Sequence, residues 1–230
     1  MAKIKLGAIA GQISGSVGTW TFGHNRGGSY VRNRAIPITH TSEYAMNAKA
    51  RLAQCSRAWA DLTDDQRLSW NNWATTYPIT DVLGDKRNLT GHQAYIKLST
   101  RLLLAGNGTP TTPPAADAPD GLTTVTLTAD IGAGAFQVAY TATPAPADCK
   151  VWVSGARIPH AGIAFVKNKM KYITCSANAA ASPLNWESAF YARFGTPAVG
   201  EIIFCWACIL DTATGLLSLP TMDSVAVTTT

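Results

Sequence analysis

The front of the chain, residues 1–40, carries Lys3, Lys5, Arg26, Arg32 and Arg34 and not one Asp or Glu. Glycine punctuates it at Gly7, Gly11, Gly15, Gly18, Gly23, Gly27 and Gly28. So many glycines break the stretch into short strands and turns and leave few side chains with which to build a core. A segment that cannot bury itself needs a partner surface, and an extended arm or hairpin is the form that obtains one. Its aromatic residues Trp20, Phe22 and Tyr30 and its arginines Arg26, Arg32 and Arg34 are the expected docking contacts.

Charge divides the chain. Residues 1–106 hold 13 Lys and Arg against 6 Asp and Glu, whereas the remainder holds 6 against 8. A basic half can meet an acidic protein surface or a phosphate backbone. No continuous Lys/Arg run and no nucleic-acid motif occurs, so neighbouring subunits are the expected partners and nucleic acid is not. Charged residues make up only 14% of the chain and hydrophobic ones 47%, against about 25% charged in an average domain. That balance fits a surface largely covered in the working state. The apolar stretch after Lys5 ends at Gln12, shorter than a signal-peptide core, and no run is long enough for a membrane helix.

After the arm, Thr41 or Ser42 can cap a helix with Glu43 in its first turn. Tyr44, Ala48, Leu52, Cys55 and Trp59 then form one helical stripe. Thr63-Asp64-Asp65-Gln66 is a capping box, followed by Trp70, Trp73, Ala74 and Tyr77 on one face, with Pro78 as the stop. A second box, Thr90-Gly91-His92-Gln93, opens a helix bearing Tyr95, Leu98, Leu102 and Ala105 and ending at Gly106. Trp59, Leu62, Trp70 and Trp73 are the expected core of this small helical domain, 41–106, rather than a ligand-stacking platform. Residues 107–118, rich in Pro, Thr and Ala, are expected to be a linker between domains.

Beyond the linker the texture turns to β-branched alternation. Strands are expected at 123–128, 136–142, 150–154, 162–166, 171–175, 188–194, 201–210, 216–219 and 224–228. So many short strands predict an antiparallel β-sandwich over 119–230, making the chain an α+β multidomain protein. The run Ile202–Ile209, apolar on both faces, predicts a central strand covered on each side. Asp211–Gly215 predicts a hairpin connection.

Chemistry is sparse. The chain lacks a phosphate-binding G-x-x-x-x-G-K-[ST] loop, a zinc helix, a nucleophile elbow and a dinucleotide fingerprint. His24, His40, His92 and His160 are scattered. Cys205-x-x-Cys208 looks like a redox or metal pair, but positions three apart on a strand face opposite ways. Buried thiols are the expectation, with no catalysis, cofactor or metal.

A set of residues in the first 106 resembles a group of tailed-bacteriophage virion proteins. It comprises Gly15-x-x-Gly18 with Phe22 and Arg26-Gly27-Gly28, then Val31-Arg32-x-Arg34-x-x-Pro37. It continues through Ala58-Trp59-x-x-Leu62-Thr63-x-x-Gln66-Arg67-x-x-Trp70-Asn71 and Leu89-Thr90-Gly91-His92. Residues 37–41 depart from the N-P-x-T segment frequent in that group. The C-terminal region is similar, at the level of fold, to the fibronectin-type-III-like modules of phage particles. The resemblance implies a structural component of a virion (neck, collar, tail or capsid surface) present in many symmetric copies, its partners being itself and other virion proteins. An alternative of a different class is an adhesion module whose sandwich binds a glycan or protein receptor, with Trp186 and Tyr191 as its candidate aromatics.

Overall fold

The computed structural model describes residues 2–3, 13–25, 28–35, 41–80, 86–115, 117–141, 143, 145–163 and 165–229. It is an α+β protein with antiparallel sheets, and among the described residues it has four α-helices. The chain divides into two compact units, Met1–Asn47 and Ala48–Thr230.

In the first unit, β1 (Ala2–Lys3), β2 (Gly15–Val17), β3 (Trp20–Asn25) and β4 (Gly28–Asn33) form an antiparallel sheet in the order β1-β4-β3-β2. The unit ends within α1 (Glu43–Ala60).

The second unit begins with the rest of α1, then α2 (Asp64–Thr76), the small hairpin β5 (Ile79–Thr80) and β6 (Lys86–Arg87), and α3 (Gly91–Leu104). Both expected capping boxes are formed, Thr63 with Gln66 and Thr90 with Gln93. Trp70, fully buried, meets Tyr95 edge-on at 5.3 Å, and half-buried Trp59 packs against the same ring at 5.3 Å. Leu62 is buried and Trp73 half-buried beside them, so all four expected core residues lie in one cluster with Ala74, Ala94 and Leu98. The stripe on α1 is covered only toward its end. Cys55 is fully buried, while Tyr44 and Leu52 are about half exposed.

Gly91 has a steric reason. A Cβ there would lie 2.7 Å from the Asn71 backbone nitrogen and 2.9 Å from its Cα, because the start of α3 abuts α2. The Gly91 amide donates to Asn71 Oδ1 at 3.1 Å, a further tie between the two helices.

Seven strands and one helix complete the unit. They are β7 (Thr124–Asp130), β8 (Ala135–Thr141), β9 (Cys149–Ile158), β10 (Lys171–Cys175), β11 (Leu184–Asn185), α4 (Glu187–Phe194), β12 (Ile202–Asp211) and β13 (Thr221–Ala226). One sheet has the order β11-β8-β7 and the other β10-β9-β12-β13. Leu127, Phe136 and Val138 of the first and Val151, Val153, Ile203 and Cys205 of the second belong to one buried cluster.

The strand expected at 188–194 is instead α4. Trp186, Phe190 and Phe194 recur every fourth residue and pack ring against ring at 5.2 and 5.1 Å. Gly195 then ends the helix at a φ of 74°. Of residues 162–166, expected as a strand, the described ones, 162–163 and 165–166, are in no strand and precede a 3-10 segment, Lys167–Lys169. Of 216–219 only Leu217 pairs, in an isolated bridge to Leu210. The central strand is where expected, since β12 pairs with both β9 and β13.

Residues 107–118, read as a linker, lie inside the second unit. Trp70 Nε1 donates to the Thr111 carbonyl at 3.2 Å, and Tyr77 donates to Asp117 at 3.0 Å. Asn107 donates to the Thr212 carbonyl, and Lys150 Nζ reaches both Asn107 Oδ1 and the Ala105 carbonyl. That lysine neutralises the carbonyl end of α3, where a cation is favoured. Ala105, Trp152, Cys208 and Leu210 form a further buried cluster, so α3 and the outer face of β12 share a core.

Gly91→Ala is expected to cost about 2 kcal/mol by overpacking, lowering Tm by roughly 4–8 °C in a chain of this size. Gly108→Ala, where a Cβ meets nothing within 4 Å, leaves it unchanged. Calorimetry of the two variants checks the pair.

Candidate docking surface

The front sheet is built by glycines at its turns and by a register that sorts its side chains. Gly18 at a φ of 58° and Gly28 at 102° occupy backbone that other residues rarely adopt. Pairing places Val17 opposite Trp20, Gly15 and Val31 opposite Phe22, and Asn33 opposite Trp20. Side chains alternate along each strand, so Val17, Trp20, Phe22 and Val31 share one face. Thr21 pairs with Arg32 and Ser16 with Thr21, and these fall on the other face with Tyr30. The Tyr30 ring lies across Gly23, where a Cβ would sit 2.7 Å from the phenol oxygen. Any larger residue at 23 displaces that ring.

The sheet is thus amphipathic, but it is barely covered. Val31 is the only buried side chain among the described residues of Met1–Asn47. Phe22 and Tyr30 are half-buried, whereas Trp20 is 53% and Val17 71% exposed. Covering Trp20 and Val17 would contribute on the order of 3 kcal/mol by area. β2 lies at the sheet's edge with an exposed backbone, the geometry to which another strand can be added.

Arg32 and Arg34 are both exposed, and among the described residues neither is in an ion pair. Arg34 is held by its backbone amide, which donates to the Thr19 carbonyl at 2.7 Å. It borders an open hollow with Gly18, Thr19 and Asn33. Arg26 lies outside the described residues. The structure therefore brings Trp20 and Phe22 together on the apolar face and sets Tyr30 and Arg32 on the polar one.

Reactive chemistry is not assembled elsewhere among the described residues. No group of three or more His, Cys, Asp and Glu is placed to hold a metal ion. No helix is long and apolar enough to cross a membrane. Cys205 points into the core between the sheets and Cys208 into the cluster with α3, so the two thiols face opposite ways. Burial raises the pKa of Cys208 and of Cys175 to about 11 and pushes that of Cys205 up as well. Trp186, considered for receptor binding, is in the core at 1% exposed, and Tyr191, expected in a core strand, packs against the same cluster from α4. The exposed loop aromatic is Phe165, at 73%. Reading 162–166 as a strand hid it.

Raised thiol pKa values leave little thiolate at neutral pH. All five cysteines should therefore react with a chromogenic disulfide at pH 8 far more slowly in the native protein than after denaturation. Rapid native labelling of Cys205 or Cys208 would contradict the buried-thiol assignment.

No protein-family model, curated protein or solved structure matches this chain.

Proposed function

We propose that this chain is a non-enzymatic structural component of a bacteriophage virion, a neck, collar, tail or capsid-surface protein. In this reading it assembles in many copies through its front sheet. The observation that carries the proposal is the amphipathic sheet of Met1–Asn47 with Val31 as its one buried side chain among the described residues. Such a sheet has too little core for independent stability and gains one on a neighbour. Its apolar face of Val17, Trp20 and Phe22 would supply burial. The edge of β2 would supply backbone hydrogen bonds, and Arg32 and Arg34, in no ion pair among the described residues, would fix register against carboxylates. The residues that resemble virion proteins run from Gly15 to His92, through this sheet and the helices that follow it.

In the same reading the two sheets of the second unit are the layers of a fibronectin-type-III-like sandwich. Their common buried cluster supports it. Insertion of α4 before β12 departs from the all-β pattern of that fold.

Removing residues 1–40 should leave a folded protein that no longer joins its assembly, as read by circular dichroism and by light scattering or particle incorporation. Arg32→Glu with Arg34→Glu should weaken assembly at least tenfold without changing the melting curve. Unfolding of the truncated chain, or normal assembly by either protein, would contradict the proposal.

A further inference from the structure

The second unit carries two exposed patches of opposite charge, each built around one apolar side chain. The basic patch sits at one end of the larger sheet. Ile158 of β9 pairs with Ile202 of β12, so the connections 159–170 and 195–201 emerge side by side. A bidentate ion pair fixes their base, with Arg157 Nε 2.7 Å from Glu201 Oε2 and Nη2 3.0 Å from Oε1. Arg157 Nη1 also donates to the Phe194 carbonyl, and Glu201 accepts from the Ala198 amide. Within the longer connection Val166 is buried, and its carbonyl accepts from the amides of Lys169 and Met170.

On this anchored turn Phe165 stands 73% exposed. Lys167 and Lys169 beside it are exposed and, among the described residues, in no ion pair. The sequence has no Asp or Glu from Cys149 to Trp186, and Glu201 at the base is paired with Arg157. An exposed aromatic side chain beside exposed lysines has the anatomy of a contact anchor.

The second patch is a face of α2. Leu68 is 58% exposed, and Asp64 and Asp65 precede it by four and three residues, which places them on its face of the helix. Asp61 is exposed in the turn just before. Arg67 pairs with Asp64 at 2.9 Å, whereas Asp61 and Asp65 are in no ion pair among the described residues.

We infer that these patches are the two halves of one contact between copies of this chain. Phe165 and the Lys167–Lys169 turn of one copy meet Leu68, Asp61 and Asp65 of the next. The inference rests on the assembly proposed above, and charge complementarity carries it. Because the halves are different surfaces, the contact is head-to-tail and repeats around a ring or along a filament. It is independent of the front sheet, which would add a second tie between copies.

Charge exchange in the full chain tests it, with mass measured by light scattering at low and high salt. Lys167→Glu with Lys169→Glu, and separately Asp61→Lys with Asp65→Lys, should each weaken self-association at least tenfold. The chain carrying all four substitutions should regain it. Phe165→Ser, which leaves α2 untouched, should weaken association as well and covers the case in which Asp65→Lys disturbs its helix. Self-association of the original chain should also fall with added salt. Unchanged mass in the charge variants, no recovery in the combined one, or a monomeric original chain would overturn the contact. Loss of assembly on removal of residues 1–40, with all charge variants normal, would overturn it and leave the arm reading standing. The reverse pattern would support the contact and remove the arm.

Discussion

The second unit depends on α3 having two apolar surfaces. Ala94, Tyr95 and Leu98 enter the tryptophan cluster with α1 and α2. At the other end of the helix Leu104 and Ala105 pack on Cys208 and Leu210 of β12. Gly215 permits the close approach, since a Cβ there would lie 2.7 Å from the Leu98 carbonyl oxygen. Tyr172 and Lys150 then donate to the Leu104 and Ala105 carbonyls, so groups that would otherwise end the helix unpaired are satisfied from the sheet. A helix joined to its neighbour by packing and by its last carbonyls cannot swing on residues 107–118, whatever their composition.

This arrangement sets the second unit apart from the front sheet. Ala48–Thr230 has three buried clusters, and its central strand is covered on both faces. Met1–Asn47 has an ordered register and, among its described residues, one buried side chain, Val31. Glycines make its turns possible and withhold the side chains that would close a core. The same composition that leaves the sheet incomplete alone suits it to lie on another surface. The edge of β2 and the exposure of Arg32 and Arg34 are consistent with the proposed docking role.

Features written in local chemistry were legible in the sequence. The Thr63–Gln66 and Thr90–Gln93 boxes marked both helix starts. The double-sided apolar run marked β12, and spacing alone separated Cys205 from Cys208. Part of what escaped depended on partners remote in sequence. Trp70 bonds a main-chain carbonyl at Thr111, and a carbonyl leaves no compositional trace. The period of Trp186, Phe190 and Phe194 is local and spans only two turns, and Gly195 after it is the signal for a helix end. Phe165 was expected within a strand at 162–166, but it is 73% exposed and in no strand. Of the docking surface, the aromatics and arginines were identifiable, but their sorting onto two faces required the register.

Hydrogen exchange at the amides of Gly15–Val17, Trp20–Asn25 and Gly28–Asn33 addresses the central claim most directly. In the isolated chain these amides should exchange early, well before those of α3 and β12, because the sheet opens at little cost without a cover. In the assembled state the same amides should become protected while α3 and β12 change little. Equal protection in the isolated and assembled chains would mean that the front sheet is complete by itself, and would contradict the account.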